Sequence, residues 1–153
     1  MIDALYSADL LRLAAVLPRA GRLAAPDASS EKTAKLCGSR IVADVVVRDG
    51  RVVDFAQEVK ACALGQAAAS VLGESVIGAT VEELEEARDG LRAMLKDRAS
   101  PPQGRFAGLA LLAPVADYPA RHASTMLAFE AAAEAARQAA VLSLDRTRRA
   151  GAA

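Results

Sequence analysis

The stretch Lys35–Ser70, KLCGSRIVADVVVRDGRVVDFAQEVKACALGQAAAS, decides the fold. Asp49-Gly50 sits between two β-branched runs, RIVADVVVR and RVVDFAQEVK. A two-residue type I′ turn needs positive φ at both central positions, which Asp and Gly tolerate, so the pattern predicts a β-hairpin over about residues 40–60. Arg48 then faces Arg51, and in an unbroken ladder every later pair keeps the same sum of residue numbers. Cys37 and Cys62, the chain's only cysteines, obey that sum and would face each other on one side of the sheet. A bulge or an early strand end would break the pairing. In either case the hairpin carries both thiols to one end of one element. Val42, Val46, Val53, Phe55 and Val59 occupy the other face, which reads as the core face.

Outward from the hairpin the chain turns helical. Ser7 is a helix cap before Leu10, Leu11, Leu13, Ala14 and Leu17, with Pro18 as the stop. Residues 21–35 read as a loop with room for a short strand before Cys37. CALGQAAASVLG has helix-forming composition and ends near Gly73. Thr80-Val81-Glu82-Glu83 is a capping box that opens a helix carrying Leu84, Ala87, Leu91, Met94 and Leu95. Pro101-Pro102 breaks the chain, and Phe106–Leu112 reads as one helical stretch ending before Pro114. Pro119 opens a last helix through Leu127, Ala131, Ala135 and Ala139, with a frayed tail expected from Arg146. Strands early and helices late predict an α+β fold, a small antiparallel sheet with helices on one face.

The 153 residues have the length of one ordinary domain. They are 53% hydrophobic and only 3% aromatic, and much of the apolar content is alanine, which suits close helix packing. Nineteen basic and nineteen acidic residues cancel, which leaves no electrostatic footprint for nucleic acid or anionic lipid. No run reaches the ~18 apolar residues of a membrane span. The N-terminus lacks a basic leader and reads as an amphipathic helix, so a cytoplasmic protein with reduced thiols is the expectation.

Cys37 lies in a Cys-Gly-Ser turn, where glycine lets a ligand approach the backbone. Cys62 lies at a helix start, where the macrodipole and free N–H groups favour a thiolate. Two thiolates at one edge suit a soft metal or sulfur transfer; as small buried hydrophobes they would need neither. His122, the single histidine, is either a third metal ligand or a surface side chain near a helix start. Walker A, GxGxxG and zinc-finger spacings are absent from the sequence.

Taken in order, the motifs resemble those of the U-type iron–sulfur cluster assembly scaffolds, IscU, SufU and the N-terminal domain of NifU, over about Leu5 to Ala135. Gly21-Arg22-Leu23 with Pro26-Asp27 looks like the family's Gly-x-Leu…Pro-Asp segment, and Leu36-Cys37-Gly38 like its Leu-Cys-Gly turn. Asp49-Gly50 matches the hairpin. Cys62-Ala63-Leu64-Gly65-Gln66-Ala67, followed by Ala69-Ser70, is similar to the second-cysteine helix. Val76-Ile77-Gly78 with Thr80, then Tyr118-Pro119-Ala120-Arg121 and Leu127-Ala128-Phe129, complete the series.

The resemblance implies a SufE/NifU-like fold, one domain over 1–145 with the tail at 146–153, and a scaffold instead of an enzyme. Family members use three cysteines helped by an aspartate. Here Cys37 and Cys62 take the first two positions, Ser39 stands where the aspartate is usual, and Ser124 stands where the third cysteine is usual. His122 lies two residues before Ser124. The implied cargo is a transient iron–sulfur cluster or iron, held by Cys37 and Cys62, with His122, Ser124 and Ser39 as further candidate ligands; zinc is the alternative metal. The implied partners are a cysteine desulfurase and cluster-receiving proteins, with no nucleic acid and no membrane, and a homodimer as one arrangement. Two other readings stand beside it. One is a metal-free interaction module that modulates a desulfurase or a complete scaffold; the other is a zinc protein using Cys37, Cys62 and His122.

Overall fold

The computed structural model describes residues 5–151. Residues 1–4, part of the N-terminal stretch read as amphipathic, and residues 152–153, the end of the expected tail, lie outside it. The order is α1 (Ala8–Ala15), β1 (Ala28–Ala34), β2 (Ser39–Arg48), β3 (Arg51–Lys60), α2 (Ala63–Ser75), α3 (Val81–Asp97), two 3-10 segments (Gly104–Asp117 and Pro119–Arg121) and α4 (His122–Gly151). The strands form one antiparallel sheet in the order β1-β2-β3, with helices against it, an α+β fold.

The hairpin forms as its turn requires, with φ of 53° at Asp49 and 75° at Gly50 and Arg48 opposite Arg51. The register then slips between Val46 and Val47, because β3 carries one extra residue, Val53. Beyond this bulge Val45 faces Phe55 and Arg40 faces Lys60. Two corrections follow. The cysteines do not face each other in the ladder, since the strands stop at Ser39 and Lys60 and the register has moved. The core face of β2 is also the opposite one: Ile41, Ala43, Val45 and Val47 are buried against the helices beside Val52 and Phe55, whereas Val53 is 48% exposed. The bulge flips the sense of one arm relative to the other, as a one-residue slip must. Val42 is buried too, because the chain between α1 and β1 crosses the sheet's outer face.

That crossing is held by Asp44. Its fully buried carboxylate accepts from Arg22 (2.7 and 3.0 Å), the Leu23 N–H (3.0 Å) and Ser29 (2.5 Å). The outer edge of β3 is closed by two short bridges, Ala20 to Gln57 and Arg51 to Thr80. An edge covered in this way offers no template for another strand.

The expected strand before Cys37 is seven residues long. Its sequence, ASSEKTA, lacks hydrophobic alternation, but Ser30 and Ala34 turn inward and Ser30 hydrogen-bonds Glu134 of α4. Ser7 and Thr80 cap α1 and α3, the latter with the full reciprocal capping box to Glu83. The expected single stretch at 106–112 is a longer 3-10 segment with Pro114 inside it, in which Phe106 meets Phe129 edge-on at 5.2 Å. Pro119 opens a 3-10 turn, and α4 itself starts at His122. The helix continues to Gly151, past Arg146 where fraying was expected, and Arg146 reaches back to Asp27 at 3.4 Å. Along α4 the buried face is mostly alanine, Ala128, Ala131, Ala132, Ala135, Ala136 and Ala139, so the helix lies close on β1 and β2. Among the described residues no helix is long and apolar enough to cross a membrane.

Candidate functional site

Three element ends meet at the thiols. Cys37 sits in the β1–β2 turn, where the Gly38 N–H donates to the Ala34 carbonyl at 2.9 Å and Gly38 takes a φ of 73°. Ser39 follows as the first residue of β2, buried, with its Oγ 3.0 Å from Cys37 Sγ. Cys62 is the N-cap residue of α2, yet its side chain bonds none of the helix N–H groups. Ser124 lies in the first turn of α4, with its Oγ 3.6 Å from Cys62 Sγ. Ser124 also contributes, after Ser39, to holding the Cys37 thiol below its ordinary range. The Ser124 hydroxyl is held beside Cys62 by the Arg121 carbonyl, to which it donates at 3.2 Å.

The close approach of α2 to α4 depends on Gly65. A Cβ there would lie 2.8 Å from Ala61 Cβ and 3.0 Å from the Ser124 carbonyl oxygen. Sequence reasoning did not single out Gly65 as a site residue. The available signal was a glycine inside a helix, where it costs about 1 kcal/mol relative to alanine unless packing requires it.

Electrostatically the two thiols differ. The Cys37 thiol sits below the ordinary cysteine range, first because the Ser39 hydroxyl hydrogen-bonds the thiolate, then because the Ser39 N–H does; slight burial opposes this and Ser124 adds to it. Cys37 is exposed and Cys62 half-buried, and neither is in a disulfide. An exposed, hydrogen-bonded thiolate is a nucleophile and a soft ligand.

His122 does not join them. It is buried, not on the surface, and its Nε2 donates to the Val115 carbonyl at 2.9 Å. Among the described residues no group of three His, Cys, Asp or Glu side chains is positioned to hold a metal ion. Cys37, Cys62 and His122 are thus not gathered into one metal-ligating group here; the side chains beside the thiols are the Ser39 and Ser124 hydroxyls. His122 belongs to the packing of the 3-10 segment on α4.

Residues 7–125, which include every one of these positions, match the family model of the NifU-like N terminal domain. The chain belongs to the NifU-like N-terminal domain family. It is thereby a member of the iron–sulfur cluster assembly scaffolds, the U-type family. It is 34% identical over 103 residues to the iron–sulfur cluster assembly scaffold protein IscU of Thermotoga maritima, covering 65% of this chain and 69% of that one. A crystal structure of a nitrogen-fixing NifU-like protein (N-terminal) from Brucella abortus superposes with a TM-score of 0.88 at 51% identity, over 90% of this chain and 96% of the other. The putative SUF-system scaffold of Fervidobacterium islandicum shares the fold, with a TM-score of 0.79 at 20% identity over 88% and 98% of the two chains.

Proposed function

We propose that this NifU-like domain handles iron–sulfur cargo through Cys37 and Cys62, with Cys37 as the entry point for sulfur. The observation that supports the reading is that each thiol has a serine hydroxyl beside it, Ser39 at Cys37 and Ser124 at Cys62, with Cys37 exposed and biased toward thiolate. The relatives' scaffold role supports it. The sulfur source would be a cysteine desulfurase persulfide. The Cys37 thiolate attacks the outer sulfur of the donor's R–S–SH; the donor S–S bond breaks, a Cys37 S–S bond forms, and R–S⁻ leaves. The transfer itself needs no external oxidant or reductant. Iron binds at the two sulfurs, an external electron donor supplies the two electrons that reduce the outer persulfide sulfur to sulfide and free the Cys37 thiolate, and the assembled cluster passes to a receiving protein. A [2Fe–2S] cluster normally takes four protein ligands, and one chain has two thiols. The cargo is therefore shared, in a homodimer or with a receiving protein.

The shortage of ligands also favours a second reading, a metal-free module that keeps the fold and modulates a desulfurase or a complete scaffold; zinc held by the two thiols and outside ligands is the remaining alternative. One experiment separates them. The protein is incubated anaerobically with a cysteine desulfurase and cysteine and assayed for sulfur on each thiol by mass spectrometry; iron and an electron donor are then added, and bound iron, zinc and sulfide are measured. Sulfur on Cys37 with iron and sulfide in equal amounts is the expected result. Protein free of sulfur and metal, or carrying zinc alone, would overturn it.

A further inference from the structure

A groove of about 370 Å³ lies toward the end of α2 opposite Cys62. α2 lines it with Ser70 and Glu74, the 3-10 segment with Leu111, and α1 with one side, positions 9, 12, 13 and 16 at helical spacing. Ser70 follows Cys62 by eight residues, roughly 12 Å along the helix. Ser70 is fully buried, and its Oγ has no hydrogen-bond partner among the described residues. A helical serine or threonine commonly bonds a carbonyl one turn back, as Ser124 and Thr125 do to Arg121; Ser70 does not. A hydroxyl buried in this way loses water and gains nothing in exchange. Glu74 stands one turn after Ser70 on the same side of α2. It is exposed and in no ion pair among the described residues. Asp9 and Arg12, by contrast, neutralise each other at 2.9 Å. Leu13, Val16 and Leu111 make the apolar lining, with Val16 60% and Leu111 37% exposed.

An apolar lining is thus joined to one unpaired carboxylate and one hydroxyl in want of a partner. A carboxylate only accepts hydrogen bonds, so a group that serves both must donate, and an ammonium brings three donors with the matching charge. Glu74 would repel an anionic head, and a plain hydrocarbon would leave both polar groups unmet. A stable protein interface buries ~800 Å² per partner, whereas two exposed apolar side chains suit a small molecule. We propose that the groove between α1, α2 and the 3-10 segment binds a small aliphatic primary amine, its ammonium donating to the Ser70 hydroxyl and the Glu74 carboxylate and its chain lying on Leu13, Val16 and Leu111. The site is separate from the thiols and independent of their chemistry.

The test titrates hexylammonium chloride into the isotopically labelled full chain and follows amide signals by NMR, with hexanol, hexanoate and N-acetyl-lysine methylamide as comparison probes. Hexylammonium should give saturable shifts at Leu13, Val16, Ser70, Glu74 and Leu111. Hexanol should bind about tenfold more weakly, and hexanoate should not bind. Glu74→Gln and Ser70→Ala should each weaken hexylammonium about tenfold, while Glu86→Gln, which removes an exposed carboxylate elsewhere, should bind as wild type. Thermal unfolding checks that each variant folds and supplies a second readout. Without ligand, Ser70→Ala should melt above wild type, because the unpaired hydroxyl is gone while the affinity is lost with it. A Ser70→Ala protein that melts no higher would mean that the fold itself satisfies the hydroxyl, and would overturn the proposal. So would shifts that do not saturate or are scattered over the chain, hexanol or hexanoate matching hexylammonium, or Glu74→Gln binding as wild type. Tighter binding of the lysine derivative than of hexylammonium would place the ammonium on a protein side chain and overturn the small-molecule assignment.

Discussion

By the resemblance, Ser39 and Ser124 stand where the family pattern has an aspartate and a cysteine, and on the proposed reading a hydroxyl acts differently from either group. A hydroxyl donates to a thiolate and steadies it, but it is a weak ligand for iron or zinc. Removing Ser39's hydroxyl should therefore raise the Cys37 pKa, since the largest cause lowering it is gone. Iodoacetamide alkylation of Cys37 in Ser39→Ala should slow at neutral pH, with the midpoint of its pH profile displaced upward; an unchanged profile would mean that the hydroxyl does not hold the thiolate. Ser124→Cys should work in the other direction. Its sulfur would start beside Cys62 and supply a third soft ligand, so zinc or iron should bind at least about tenfold more tightly, ~1.4 kcal/mol, in a competition titration. Equal affinity would mean that the first turn of α4 does not face the metal. Sequence alone pointed to Ser124 and Ser39 only through the family pattern, and it left His122 open because a ring's burial and its bond to the Val115 carbonyl arise from tertiary packing.

Packing of whole elements sets how close the thiols come. Gly65→Ala would force a Cβ against Ala61 and the Ser124 carbonyl, so α2 must move away from α4. Overpacking of this kind costs about 1–3 kcal/mol, and the same shift should separate Cys62 from Ser124 and speed Cys62 alkylation; normal stability with normal reactivity would show that the contact is slack. On the far face of the sheet, Asp44 ties the crossing segment to β2. Burial alone would raise its pKa, but the bonds from Arg22, Ser29 and the Leu23 N–H outweigh burial and leave it depressed. A depressed carboxylate stabilises the fold above its unfolded pKa of about 3.9, and that contribution fades as pH falls through the lower folded value. Asp44→Ala should cost about 2 kcal/mol at neutral pH and flatten the acid limb of the stability curve; an unaltered acid limb would place that dependence on other carboxylates. The turn at Asp49-Gly50, the caps at Ser7 and Thr80 and the break at Pro101-Pro102 were readable because each is local chemistry. The bulge at Val53 was not, since Val-Val carries no mark of which residue the ladder skips, and the misread core face of β2 followed from it. β1 was faint for a related reason: its inward side chains are Ser30 and Ala34, chosen by the helix above them and not by hydrophobic alternation.

At the level of the whole molecule, the fold offers a rigid platform with one exposed chemical corner. The three-stranded sheet, its closed β3 edge and the alanine-faced α4 hold the ends of β2, α2 and α4 together, while Lys35, Leu36 and Cys37 project from the turn. Two thiols from one chain leave iron with open positions, so a stable cluster calls for a second chain. The most direct measurement is anaerobic reconstitution with iron and sulfide in the absence of small thiols, with molecular mass, iron and sulfide determined on the same sample. The account predicts charge-transfer absorption, one [2Fe–2S] cluster per two chains, a dimer mass, and loss of all three in Cys37→Ser and in Cys62→Ser. A monomer holding a complete stable cluster, or a cluster that survives both substitutions, would contradict it.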